Sequence, residues 1–344
     1  MKQESVKIRK NLAFWGAGRY VGAAGTPLKG QVVTLKATLL PLLFAASLGA
    51  QAQTTSLAPT TESSPASGET KAVIGEVLTN KKFQDDYTLT DAKLRADDGS
   101  LSRYSLRTNL SYYGPTLNDL EAKDQPNPDG SVGSYATALG GSLGLRIRLN
   151  PTQTISMGTG LKAIYPFHGM ERFDMNDPYM SWDIASRFWG VQMRNSPGFS
   201  IVTVPNYTKV GEFATFDYKN SLVYDLGKSG AAIGFDTSFG YFFYNRGYER
   251  RDGKAARNNL SFSPNVKYNI SDKLNVNTSV SMSFWNPRES ASPWIMWNRS
   301  VTQSLGLGYS FRRDIYLSPY LRMYPSRLAA DTTTFNLSAI LSVL

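Results

Sequence analysis

From Asn259 to Trp285 the chain alternates apolar and polar residues across two arms joined by a three-residue turn, Ser271 to Lys273. Leu260, Phe262, Val266, Tyr268 and Ile270 share one face of the first arm. Leu274, Val276, Thr278, Val280, Met282 and Phe284 share one face of the second, and Asn, Ser and Lys fill the opposite faces. Successive side chains of a strand point to opposite sides, so each arm has an apolar wall and a polar wall. Arms of about ten residues joined by a tight turn fit tilted strands that cross a bilayer.

The unit repeats from Leu101 to the end. Strands are predicted near 101–113, 134–149, 153–165, 180–194, 198–207, 214–226, 231–244, 259–270, 274–285, 295–311, 315–324 and 332–344. The connections alternate between long polar loops (114–133, 166–178, 245–258) and short turns such as Asn150–Thr152, Gly227–Gly230 and Arg312–Asp314. This predicts an all-β, closed antiparallel transmembrane barrel of about twelve strands, with short periplasmic turns, long extracellular loops and both termini in the periplasm. The phase is weakest over 180–207, which leaves ten to fourteen strands open. Pro264 and Pro319 fall inside strands and predict local bulges, because each removes a ladder donor.

Upstream, Lys36, the apolar stretch Ala37–Leu48 and Ala50-Gln51-Ala52 read as a secretory signal over residues 1–52 with an extended basic start, cleaved after Ala52. Initiation near Val32 or Val33 would leave an ordinary signal. Residues 53–70 are Ser, Thr, Pro and Ala with little to bury, a disordered linker. Residues 71–100 mix charges with few apolar anchors. They read as a periplasmic segment with one short helix, the sharper alternative being a plug inside the barrel. The barrel then occupies 101–344.

Composition narrows the class. No run reaches the roughly 18 apolar residues of a spanning helix, and the chain has no Cys. Seven basic residues against Glu4 lie within residues 1–52, so the mature chain keeps only +4 of the formal +10. That is too little to argue for nucleic acid. His168 is the only histidine, beside Glu171 and Asp174 in a loop. No metal pair, nucleophile elbow or phosphate loop accompanies it, so neither an enzyme nor a cofactor is expected. The outer-membrane phospholipases place a Ser two residues after their His, where this chain has Met170.

The polar face carries the remaining chemistry. Arg103, Arg107, Arg146 and Arg148 on the first two strands lie across the ring from Asp225 and Asp236, with Lys267 and Arg322 also turned inward. Opposed walls of charge in a narrow lumen focus a field, as in porin constrictions. Phe242, Tyr244, Trp285, Tyr316, Tyr320 and Tyr324 form an inward aromatic path. The alternative is that these charges pair with one another and fill the barrel.

Alternation, loop asymmetry and the four arginines resemble the Gram-negative outer-membrane β-barrels, in particular the narrow twelve-strand porins for acidic oligosaccharides. The resemblance is architectural and covers 101–344. It implies a passive channel for small polar solutes, anionic ones included, with outer-membrane lipid and the barrel-assembly machinery as partners. A non-conducting barrel acting through its outer loops is the alternative. The resemblance leaves a homo-oligomer open, although no strand offers a flat apolar outer face.

Overall fold

The computed structural model describes residues 32–34, 81–246, 255–288, 292, 294–298 and 301–343. The chain forms a closed antiparallel ring of twelve strands. They are β1 (Tyr104–Thr116), β2 (Ala138–Asn150), β3 (Gln153–Ile164), β4 (Arg172–Phe188), β5 (Val191–Ile201) and β6 (Glu212–Asp225). The second half is β7 (Ala231–Tyr244), β8 (Ala256–Asn269), β9 (Leu274–Pro287), β10 (Thr302–Arg312), β11 (Ile315–Met323) and β12 (Thr334–Val343). Each pairs with its sequence neighbours, and β12 closes the ring on β1 with Leu337 opposite Tyr112. Strict alternation pins this register, since a slip of one residue would turn every apolar side chain into the lumen.

Several sequence expectations are corrected. The β4–β5 hairpin turns at Trp189 and Gly190 (φ 49° and 82°), not near Pro197. Two positive φ values match the primed turns favoured in two-residue hairpins, and Gly190 supplies one of them without a Cβ penalty. Pro197 does not end its strand. It faces outward opposite Tyr218, and the β5–β6 ladder runs through it unbroken.

No register shift occurs at Pro264 or Pro319 either. Pairing with one neighbour lapses locally and resumes in the same register. At Pro319 the Ser318 hydroxyl donates to the Leu307 carbonyl (2.9 Å), supplying a donor beside the residue that lacks an N–H.

Residues Val132–Ala136 do not begin β2. They pair with Asp124–Pro126 in a hairpin within the first long loop, so Tyr135 lies outside the barrel wall. There Ser131 holds the Asp129 carboxyl below its usual range, donating from its hydroxyl (2.7 Å) and amide (2.9 Å). The predicted strand 295–311 is divided: Ile295–Asn298 pairs with the end of β9, and β10 starts at Thr302. Val32–Thr34, inside the predicted signal, pairs with Ile295–Trp297. The rest of that signal, the linker 53–70 and residues 71–80 lie outside the described residues.

Residues 81–102 do not hang below the ring. The segment enters the end that carries the short turns, forms helix α1 (Ala92–Asp98) and returns to β1. Lys82 bridges to Ser102, and the Phe83 amide donates to the Leu101 carbonyl (2.9 Å). Asp91 caps the helix, its carboxylate accepting from the Leu94 amide (3.0 Å). At the other end Gly99 (φ 76°) is required twice over: its backbone is left-handed, and a Cβ there would lie 2.0 Å from Arg146 Nη1.

Candidate functional site

Around α1 the lumen loses its polar character in two patches. Leu89 and Leu94 pack on Ala185, Val223 and Ala232 of β4, β6 and β7. Ala96 packs on Tyr316 and Ile340 of β11 and β12, with Ala92 alongside. Each leucine buried this way contributes about 1.5–3 kcal/mol against leaving it in water. These wall residues sit at positions where alternation otherwise places Ser, Asn or a charge. That substitution of apolar for polar was the sequence signal for a docked segment.

Charge fixes the segment in azimuth. Arg107 Nη2 donates to Asp97 (2.7 Å), and Arg148 Nη2 donates to Asp98 Oδ2 (2.9 Å) and to the Asp98 carbonyl (2.7 Å). Arg148 also donates from Nε to the Ser100 carbonyl (2.9 Å) and from Nη1 to the Pro151 carbonyl (2.8 Å). Arg146 reaches the Asp98 carbonyl, the Ser156 hydroxyl (3.3 Å) and Asp183 (3.3 Å). Lys267 of β8 pairs with Asp91, and Arg313 of the β10–β11 turn pairs with Asp85 and with Asp98 (3.3 Å).

Across the ring the polarity reverses. Lys93 meets Asp236 of β7 at 3.6 Å, and the Thr90 hydroxyl donates to Asp225 of β6 at 3.4 Å. Gln192 of β5 accepts from the amides of Thr90 (2.6 Å) and Asp91 (2.8 Å) while donating to Asp225 (2.8 Å). The segment therefore lies between the two walls, Asp97 and Asp98 toward the arginines and Lys93 toward Asp236, while Asp91 is held by Lys267 beside the acidic side.

Sequence reasoning missed the hub of this network. Asp183 of β4 is 3% exposed and accepts from Arg194 (2.7 Å), Ser156 (3.2 Å), Arg146 and the Ser196 hydroxyl, with Arg107 Nη1 at 3.8 Å. Asp183 and Arg194 lie in the region where strand phase was unclear, so neither could be assigned to the lumen. Of the residues expected to line the pore, Arg107, Arg146, Arg148, Asp225, Asp236 and Lys267 gather around α1 at the short-turn end. Arg103 stands just before β1, its amide donating to the Lys81 carbonyl (2.8 Å), and Arg322 lies toward the long-loop end of β11.

The outer surface settles the solvent. Trp182 and Met180 (41% and 56% exposed), Phe199, Ile233, Val266, Leu305 and Leu307 point outward, while Arg146 and Arg148 are 1% exposed inside. A barrel apolar outside and charged inside is built for lipid, and closure leaves no unpaired backbone edge within the bilayer. The chain is a transmembrane β-barrel.

No family model and no curated protein matches this barrel. Among solved structures it is similar to an outer membrane channel from Pseudomonas putida F1, at 12% identity over 72% of this chain and 98% of that one, with a TM-score of 0.46. The NanC porin aligns at 12% identity over 70% of this chain and 98% of its own, TM-score 0.39. The KdgM porin aligns at 9% over 70% and 98%, TM-score 0.36.

Beyond α1 toward the long loops the barrel opens. A cavity of about 370 Å³ is lined by Asn109, Ser142, Ser181, Ser200, Ser221 and their neighbours, with Arg107 and Arg194 at its floor. Lys219 reaches this cavity. A second cavity of about 220 Å³ lies between β7 and β12, over Lys93 and Asp236. In its wall the Ser279 and Ser304 hydroxyls pair (2.7 Å), and toward the long loops Ser263 pairs with Ser281 (2.9 Å) and Ser261 with Ser283 (3.0 Å).

The six inward aromatics do not form one path. Tyr316 lies under α1 with its hydroxyl toward Asn275 (3.4 Å), and Tyr320 lines the smaller cavity. Phe242, Tyr244, Trp285 and Tyr324 stand near the long-loop end, Tyr244 beneath Arg288 (4.1 Å to the ring centroid) and Trp285 edge-on to Trp297 (5.3 Å). Spacing of two along a strand fixed their face but not their height.

Proposed function

We propose that the protein is a porin-like outer-membrane channel for small polar solutes, closed at its short-turn end by residues 81–102. The short turns would face the periplasm and the long loops the exterior. One observation carries the reading: the lumen above α1 is a cavity of about 370 Å³ lined chiefly by serines, with Asp217 and Lys219 in its wall and Arg107, Asp183 and Arg194 at its floor, not a packed core. Small hydroxyl and amide side chains leave room and keep water, which suits diffusion of hydrated solutes. The charged residues below are matched by the segment and by Asp183 of the wall, so anion preference belongs to the state in which the segment has left.

A non-conducting structural barrel is the second reading, favoured by that same charge matching. Single-channel conductance of the refolded protein separates them. The chain lacks Cys, so cysteines at Ala96 and Ile340, buried side by side, would tie α1 to β12. The channel reading expects small or rare steps when the disulfide is closed and larger, frequent ones after reduction. Silence in both states from a heat-modifiable, correctly folded barrel would favour the structural reading.

A further inference from the structure

The cations that hold the plug are braced by the wall rather than by the plug alone. Asp183 supports Arg107 and Arg146 from behind, at 3.8 and 3.3 Å, and the Pro151 carbonyl supports Arg148 at 2.8 Å. With Lys267 on β8 and Arg313 in the β10–β11 turn, they face the lumen from three sectors of the ring. What they meet there is a set of carboxylates on one short peptide: Asp85, Asp91, Asp97 and Asp98. Planar guanidinium forks suit carboxylate and phosphate oxygens, and partial burial strengthens such bonds over their value in water.

We propose that Arg107, Arg148 and Arg313 form the core of a binding ring for small polyanions such as tricarboxylates, with Lys267 a further anchor at the Asp91 end, and that residues 85–98 are a tethered ligand occupying it. A soluble polyanion and the plug then exclude each other, so the ligand opens the lumen by competition. This rests on the channel reading, since opening matters only if the lumen conducts. A short tether gives the plug an effective concentration of about millimolar, so a competitor must be multivalent or reach that concentration. Simple salt is a poor competitor, because buried pairs are screened less than exposed ones.

The test uses citrate as the probe, with chloride at equal ionic strength and glycerol at equal osmolality as controls. In the refolded protein citrate is expected to raise trypsin cleavage at Lys93 and Arg95 and the open fraction of the channel by roughly tenfold, within the usual range of coupling between competing ligands. The Asp97→Asn/Asp98→Asn double variant should need less citrate for the same effect. With the Ala96→Cys/Ile340→Cys disulfide closed, citrate should change neither readout. An effect of chloride equal to that of citrate, or an equal effect of citrate on the locked protein, overturns the ring. If no form conducts yet citrate still exposes Lys93 and Arg95 to trypsin, the ring stands and the channel reading falls.

Discussion

The two ends of the lumen are built from opposite materials. At the short-turn end, Arg146, Arg148 and Asp183 are almost fully buried and each has several partners. At the long-loop end the wall is chiefly serine, asparagine and glycine around open cavities, with Asp217 and Lys219 among the charges that reach them. Charges in the first region are costly to desolvate and are repaid only by full hydrogen bonding, so they specify one position of one segment. Hydroxyls in the second are cheap to hydrate and specify nothing in particular. A narrow barrel can thus contain a tightly determined stopper and a permissive vestibule within one polar face.

The largest break in that contrast comes from its hub. Asp183→Ala would leave Arg146 and Arg194 without their shared carboxylate, and removing one partner of a buried pair costs about 3–5 kcal/mol. The expected result is a clear fall in the unfolding midpoint of the refolded barrel, read by heat-modifiable migration. Lys219→Ala, in the vestibule, should stay within about 0.5 kcal/mol, as surface substitutions do. Equal losses at the two positions would mean that the two ends do not differ.

Gly99→Ala sharpens the comparison more locally. A Cβ would meet the Arg146 guanidinium at 2.0 Å, and the residue would have to hold φ 76°. Left-handed strain costs of order 1–3 kcal/mol, and it should appear as earlier tryptic cleavage at Arg95 with little change in barrel melting. If the barrel melts early instead, α1 is part of the folding core and not a separable plug.

Smaller still is Ser318→Ala, which removes the hydroxyl donating to the Leu307 carbonyl beside Pro319. A single hydrogen bond is worth about 0.5–1.5 kcal/mol. The double change Ser318→Ala/Pro319→Ala should recover most of that loss, since an amide N–H is restored. Ser263→Ala, across from Ser281, should fall at the bottom of the same range, because water can replace the lost hydroxyl pair in the open vestibule.

Period-two alternation made the barrel legible from sequence, and the best-predicted strands were those with the most regular alternation. β7 was placed residue for residue at 231–244, and β3, β6 and β11 to within about two residues at either end. Some errors fell beside prolines: the β4–β5 connection was placed at 195–197, where the strand runs on through Pro197, and Pro264 and Pro319 suggested bulges that their ladders do not contain. A proline removes one donor. Whether the ladder breaks depends on what stands beside it, which for Pro319 is the Ser318 hydroxyl.

The sequence by itself determined the face of nearly every wall residue, because the side-chain period of a strand is two and one wall must meet lipid. It therefore put Arg107, Arg146 and Arg148 inside and Leu143 and Leu145 outside. Only the tertiary structure decided what the arginines face. Their partners on α1 lie within residues 85–98, outside any strand and with no period to read, and Asp183 reaches them from a strand whose phase was unclear. Depth and azimuth inside a closed ring follow from register and closure, which are long-range properties. For that reason a wall expected to select solutes holds, in the folded chain, the chain's own aspartates.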